Sequence, residues 1–412
     1  MPEPAKAIAA SAPSSVSPSP HRRAAKDDMN DAAELKEYEG LIAQGHHAKY
    51  RPLFTALSLV QETIYHPFAR CDEQALYYQK WYQWISIAAV LGGAVTILIA
   101  IFEFIFRSRD VPLTYTEAVV ALITLGLIAT GQIFQFKEKW LTARYKAENL
   151  RLLKFRNLTD SRLWCPPIDM KLLREELEDE VHKLEGHNYE RAKAWASEGV
   201  HPRICAPPCE DTCDEALHEL IDYYRPKRLH SQTEYLSRKA EKSEATGAWT
   251  ARVVRWLFFT SFAFVLAHLV LQLHSKYEKD VAKHRAQEVI AKSLAQHGTD
   301  ARADGPPTAS GGETDASTAR ADDALFAMLL VGFAAALPVI AAGFRSYRGS
   351  REFERNALRH QATRDSLEEL ERQLRTSGNL NEKFRLLGFC ELVLEMDCRE
   401  FMRLLCEVEW YG

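Results

Sequence analysis

Runs without charge alternate along this chain with runs dense in charge. Four uncharged or nearly uncharged runs stand out: Ile85–Phe106, Ala118–Phe136, Trp256–Leu273 and Ala324–Phe344. Each is about 18–22 residues long, which as a helix matches the thickness of a bilayer's hydrocarbon core. The short connection Arg107–Glu117 makes the first two an antiparallel pair, and a charged segment follows each pair. The pattern predicts an all-α membrane protein, with four transmembrane helices arranged as two hairpins and extended cytosolic helices.

Outside these runs the periodicity is helical. Leu53, Leu57, Val60 and Ile64 recur on one helical face, with Pro52 suited to a helix start and Pro67 to a break. A helix around Asp72–Trp84 runs into the first span, and its Tyr77, Tyr78, Trp81, Tyr82 and Trp84 are placed either as an interfacial aromatic belt or against neighbouring helices. After the second span, Trp140, Ala143, Ala147 and Leu150 form a coiled-coil-like seam, so that helix is expected to continue as a stalk. Pro166-Pro167, His201-Pro202 and Pro207-Pro208 divide the next hundred residues into short helices, Leu172–His187 among them. Arg225–Ala248 reads as a charged helix leading into the third span, and Lys276–Gln296 as an amphipathic helix beyond it. Gly378-Asn379 marks a stop, and a final helix over Glu382–Trp410 sets Leu387, Cys390, Leu394, Phe401, Leu405 and Val408 on one face.

The expected organisation is therefore a disordered tail over 1–30 and a first two-span unit over 31–160. A cytosolic helical insert over 161–234 with a Cys/Pro-rich loop follows, then a second two-span unit over 235–412 with a disordered loop at 298–323. An offset of 208 positions lays Phe136 on Phe344, Leu150 on Leu358 and Arg151 on Arg359. This fits a duplication; the alternative is two unrelated hairpins with ordinary basic flanks.

Charge adds topology. Within twenty residues of the spans, one side carries twenty Lys and Arg and the other eight. The positive-inside rule then puts both termini and 137–255 in the cytosol, at the cell membrane. The net charge of −4 predicts no nucleic-acid groove. Residues 1–30 contain no apolar segment of the signal-peptide type. All eight cysteines fall in segments assigned to the cytosol, which favours reduced thiols.

Candidate chemistry is sparse. His201, Cys205, Cys209 and Cys213 supply zinc-type ligands, but Cys-x3-Cys-x3-Cys is not a zinc-ribbon spacing, and loop or packing cysteines are favoured over a structural metal. Ala88-xxx-Gly92 and Ala89-xxx-Gly93 offer small surfaces for close helix packing. Glu103 and Gln132, near span ends, either line a bundle interior or snorkel to water; His268 either lines a pore or bonds a neighbouring helix. Pro338 should kink the fourth span or find compensating partners. No phosphate loop, HExxH or GxSxG occurs in a convincing setting. The expectation is no enzyme and no cofactor.

The exit Phe136-Lys137-Glu138-Lys139-Trp140, continuing through Arg144 and Arg151, and the ending Arg403-Leu-Leu-Cys-Glu-Val-Glu-Trp-Tyr-Gly412 together resemble the SLATT superfamily. These are bacterial two-transmembrane effector domains associated with nucleotide-producing and nucleotide-sensing partners in conflict systems. Residues 235–412 carry the resemblance best, with 70–160 as a diverged copy. The resemblance implies a pore-forming or membrane-disrupting effector of antiviral defence. It also implies action on the lipid bilayer as a homo-oligomer, triggered by a separately encoded sensor or nucleotide-signalling protein. Two hairpins and the lack of a fused sensor domain depart from the family pattern and leave the trigger open. The competing reading is a membrane-anchored scaffold or sensor that binds a cytosolic protein and opens no pore.

Overall fold

Every regular element among the described residues is helical. The computed structural model describes residues 28–106, 113–164, 169–199, 214–296 and 313–407. In order, the helices are α1 (Ala32–Ala43), α2 (His47–Thr63), α3 (Tyr65–Phe106), α4 (Leu113–Ile133), α5 (Phe136–Leu158), α6 (Met170–Gly186), α7 (Tyr189–Ser197) and α8 (Asp214–Tyr224). A π-helical turn (Arg225–His230) leads into α9 (Ser231–Gln296), followed by α10 (Glu313–Arg351), α11 (Phe353–Thr376) and α12 (Leu380–Glu407). Among the described residues, four stretches are long and apolar enough to cross a membrane, and they carry the four apolar runs.

Several boundaries differ from the sequence expectation for local reasons. α2 starts at His47 and holds Pro52 inside it. The break after α2 falls at Ile64, and Pro67 sits in the first turn of α3, where its missing N–H is harmless. The second apolar run and α5 are not one stalk. Gln135 adopts φ 51°, a left-handed conformation that ends α4 before α5 begins at Phe136. Conversely, α9 is a single helix of 66 residues that contains the charged lead-in, the third apolar run and the amphipathic stretch after it. α10 begins at Glu313, inside the segment expected to be a disordered loop, and runs unbroken through Pro338.

The chain divides into two units. The first combines Met1–Gln79, Lys137–Lys242 and Arg355–Gly412. α5 is its central helix. The expected seam is buried, with Leu150 at 0% exposure, but so are Leu141, Tyr145, Leu152 and Phe155 on other faces. A helix covered all round belongs at the middle of a bundle. Leu53, Leu57, Val60 and Ile64 of α2 are buried as their spacing predicts, as are Leu387, Cys390 and Leu394 of α12. Further along α12 the buried positions are Met402 and Leu404, while Phe401 and Leu405 are half-buried and Val408 lies outside the described residues. Asp169 and Asn188 cap α6 and α7, each accepting from backbone amides of the first turn.

The second unit combines Lys80–Phe136 and Ser243–Glu354. α3 meets α4 at Gly92 and Thr124. It meets α10 through Phe102 and Phe333, whose rings lie 6.3 Å apart. α9 meets α10 through Phe264 and Phe333, Trp249 and Phe344, and a bond from Ser261 Oγ to the Ala334 carbonyl (2.7 Å). The outward side chains are apolar: Leu122, Phe259 and Val270 are each more than 60% exposed. Threonines on these helices return their hydroxyls to carbonyls one turn back, as Thr96 does to Gly92 and Thr130 to Gly126. Their polarity is therefore hidden within the helix.

Candidate functional site

The sequence-flagged positions of the second unit lie on four different helices. Gly92 faces α4 closely: a Cβ built there would lie 3.2 Å from Thr124 Cβ and closer still to its hydroxyl. Gly93, one residue on, faces open space. Only one of the two small-residue motifs thus lies at this helix contact. Glu103 is half-buried near the end of α3, and Gln132 is exposed in the last turn of α4. His268 bonds Gln272 of its own helix at 2.8 Å, leaving its Nδ1 buried with no partner. Pro338 is half-buried within α10. His201, Cys205, Cys209 and Cys213 lie outside the described residues, among which no group of three or more metal-binding side chains occurs.

The most developed polar constellation lies in the first unit, where the sequence signalled nothing. Two elements bring cations to one buried place: Arg151 and Lys154 on α5, and Lys227 and Arg228 in the π turn. Lys154 is fully buried, and Lys227 and Arg228 are 4% and 2% exposed. Arg228 grips Glu391 of α12 with two bonds of 2.9 Å and reaches Asp28 at 3.2 Å, while its guanidinium lies over the Phe155 ring. Lys154 pairs with Asp31 at 2.7 Å and donates to the Asp28 carbonyl at 2.6 Å. Lys227 pairs with Glu34 at 2.7 Å and donates to the Asn30 carbonyl at 2.9 Å. Two tyrosine hydroxyls complete the set, Tyr223 to Asp31 (2.7 Å) and Tyr224 to Glu391 (2.5 Å).

The electrostatics follow from this crowding. Burial pushes the Asp28 carboxyl up, but Arg151, Arg228 and Lys154 outweigh it and hold Asp28 below the ordinary aspartate range. Glu148 is held down in the same way by Arg144 and Arg151 against its burial. Burial lowers the Lys154 ammonium despite its partner Asp31. Burial and the carboxylate each one contacts raise Tyr223 and Tyr224 far above the usual phenol range, so both serve as fixed donors. The arrangement has charge pairs but no activated nucleophile, and suits an electrostatic clamp better than acid–base chemistry. The thiols point the same way: burial raises Cys390, Cys398 and Cys71, leaving them protonated and unreactive.

Surface clefts border the unit among its described residues. One of about 430 Å³ gathers Glu34, Glu37, Glu219 and Asp222 with Tyr38 and Tyr50. Lys49 already occupies part of this acidic surface, pairing with Glu219 at 3.2 Å. One of about 310 Å³ lies along α5 and α6 beside Asn157 and His187. Another, about 380 Å³, is lined by Arg156, Arg191 and Arg399, each of which is already paired to a glutamate.

Comparison of the chain with protein-family models, with curated proteins and with solved structures returned no match.

Proposed function

We propose that this chain is a multi-pass membrane effector whose α3, α4, α9 and α10 cross the bilayer as two antiparallel hairpins. In this reading it forms a homo-oligomeric pore, or otherwise disrupts the membrane, in a bacterial conflict system directed against phage. A partner protein or nucleotide signal triggers it. Both termini and the charged helices face the cytoplasm, as the excess of Lys and Arg on that side favours.

The observation that carries the reading is the oily outer surface of the second unit, where Leu122, Phe259 and Val270 stand clear of any covering side chain. So large an apolar surface is stable in lipid or against other helices and costly in water. The pairing of Trp249 with Phe344 and of Phe264 with Phe333 supports antiparallel packing of α9 and α10. The unpartnered His268 Nδ1 and the exposed Gln132 supply polar groups that an oligomer would cover or turn toward water.

Purified protein reconstituted into dye-loaded vesicles tests the proposal. Leakage on adding cyclic nucleotides or a co-purified partner supports it. Vesicles that stay tight under every trigger, together with a stable cytosolic partner in a detergent pull-down, favour the scaffold reading instead.

A further inference from the structure

The segment Asp28–Asp31 is bound into the first unit in an unusual way. It precedes α1 and forms no helical turn of its own, yet Met29 is 1% exposed and Asp31 0%. Its two carboxylates and two of its carbonyls face the four cations from α5 and the π turn. Those cations do not depend on it equally. Arg228 keeps Glu391, Arg151 keeps Glu148 at 2.9 Å, and Lys227 keeps Glu34 if the segment leaves. Lys154 keeps no hydrogen-bonding partner among the described residues, because both of its polar contacts are to Asp28 and Asp31, and only the Phe155 and Tyr223 rings remain beside it. The segment thus completes a cluster that is otherwise largely prepaired, and a single fully buried lysine makes that completion necessary.

The neighbouring backbone fits the same reading. The π turn presents Lys227, Arg228 and Leu229, three consecutive residues, to the interior. Wide turns of this kind cost helix geometry and concentrate at functional positions. Gln232, in the first turn of α9, adds a bond of 3.1 Å to Asp28. α9 then continues without interruption through the third apolar run.

We infer that Asp28–Asp31 is an electrostatic latch, a displaceable segment whose two carboxylates tie α5 to the π turn and whose release frees the start of α9. The device is intramolecular, and its occupant is this chain's own Asp-Met-Asn-Asp. Release costs α1 its N-cap, because the Asp31 carbonyl accepts from the Leu35 amide at 2.8 Å and the Asn30 side chain from the Ala32 amide at 3.1 Å, but it leaves the helix body from Ala32 onward in place. It leaves Lys154 as the group that must find water or lose its proton. The inference does not rest on pore formation, and its readout is independent of leakage.

Hydrogen exchange on the full-length protein in detergent tests it. In the unmodified chain under mild denaturant, amides of 28–38 and 224–236 should lose protection at concentrations where α6 and α11 remain protected. In the double variant Asp28→Asn with Asp31→Asn, exchange over 28–38, 150–156 and 224–236 should rise by about a hundredfold, as expected when a buried ion pair loses one partner. α6 and α11 should be unchanged. Adding Lys154→Met should restore most of the protection, because the cation that requires the latch is then absent. Loss of protection at one denaturant concentration throughout the unit, or no local change in the double variant, would show the segment to be ordinary core and overturn the inference.

Discussion

Replacing Arg228 with methionine removes a guanidinium that is 2% exposed and holds Glu391 and Asp28 by three bonds of 2.9–3.2 Å. Glu391, 3% exposed, then keeps only the Tyr224 hydroxyl among these groups. Removing one partner of a buried pair costs about 3–5 kcal/mol, because the remaining charge stays desolvated. For a unit of this size, about 2–4 °C of melting temperature corresponds to each kcal/mol, so the transition should fall by roughly 6–20 °C. Thermal unfolding of the detergent-solubilised protein, followed by circular dichroism, reads this directly. The double replacement Arg228→Met with Glu391→Leu should recover more than half of the loss, since an apolar pair of similar volume needs no compensating charge. A single variant that melts within about 3 °C of the parent would refute the reasoning, because a shift that small corresponds to roughly 1 kcal/mol. A double variant that loses the sum of the two single losses would also refute it, since coupled partners are not additive.

Other consequences follow from the same geometry. Gly92→Leu should destabilise the α3–α4 contact by about 1–3 kcal/mol through overpacking against Thr124, while Gly93→Leu should shift the melting transition by less than about 1 kcal/mol, because it meets open space. Burial, with Arg359 and Lys239 nearby, lowers His360 to about 4 from the ordinary 6.5. Its contribution to stability is therefore complete above pH 6.5 and lost as pH falls toward 4, and His360→Gln should flatten that part of the stability–pH curve. Asp28 and Glu148, both held low, add a further loss on stronger acidification, measurable as a steeper fall in melting temperature below about pH 4 than in the charge-neutral variants Asp28→Asn and Glu148→Gln. Cys390, fully buried with its thiol raised by that burial, should resist iodoacetamide in the folded protein and react only once the unit is unfolded, as mass spectrometry would report.

The apolar helices were legible because their signal is local. A run such as Ile85–Phe106 has one charge in 22 residues, and no tertiary context is needed to see a helix long enough for a bilayer. The face Leu53, Leu57, Val60, Ile64 was legible for the same reason, since periodicity alone fixes which side is buried. What the pattern missed depends on partners distant in sequence. Arg151 and Lys154 belong, in sequence, to the run of basic residues after the second span, yet α5 is covered on several faces, so those positions lie inside. Asp28 and Asp31 sat at the edge of an Ala/Ser/Pro-rich tail, and only the cations more than a hundred residues away bury them. The left-handed Gln135 carries no glycine or asparagine signal, and the π turn contains Pro226, which from sequence alone suits a helix start. Of the cluster itself, the sequence shows only Tyr223-Tyr224 followed, after two intervening residues, by Lys227-Arg228, a spacing that names no carboxylate partner without the fold.

Whether the oily helices reside in lipid is tested most directly by fractionating cells that express the full chain and extracting the membranes with alkaline carbonate. The protein should stay in the membrane pellet and enter solution only with detergent. Recovery as a monodisperse species in the carbonate supernatant would contradict it.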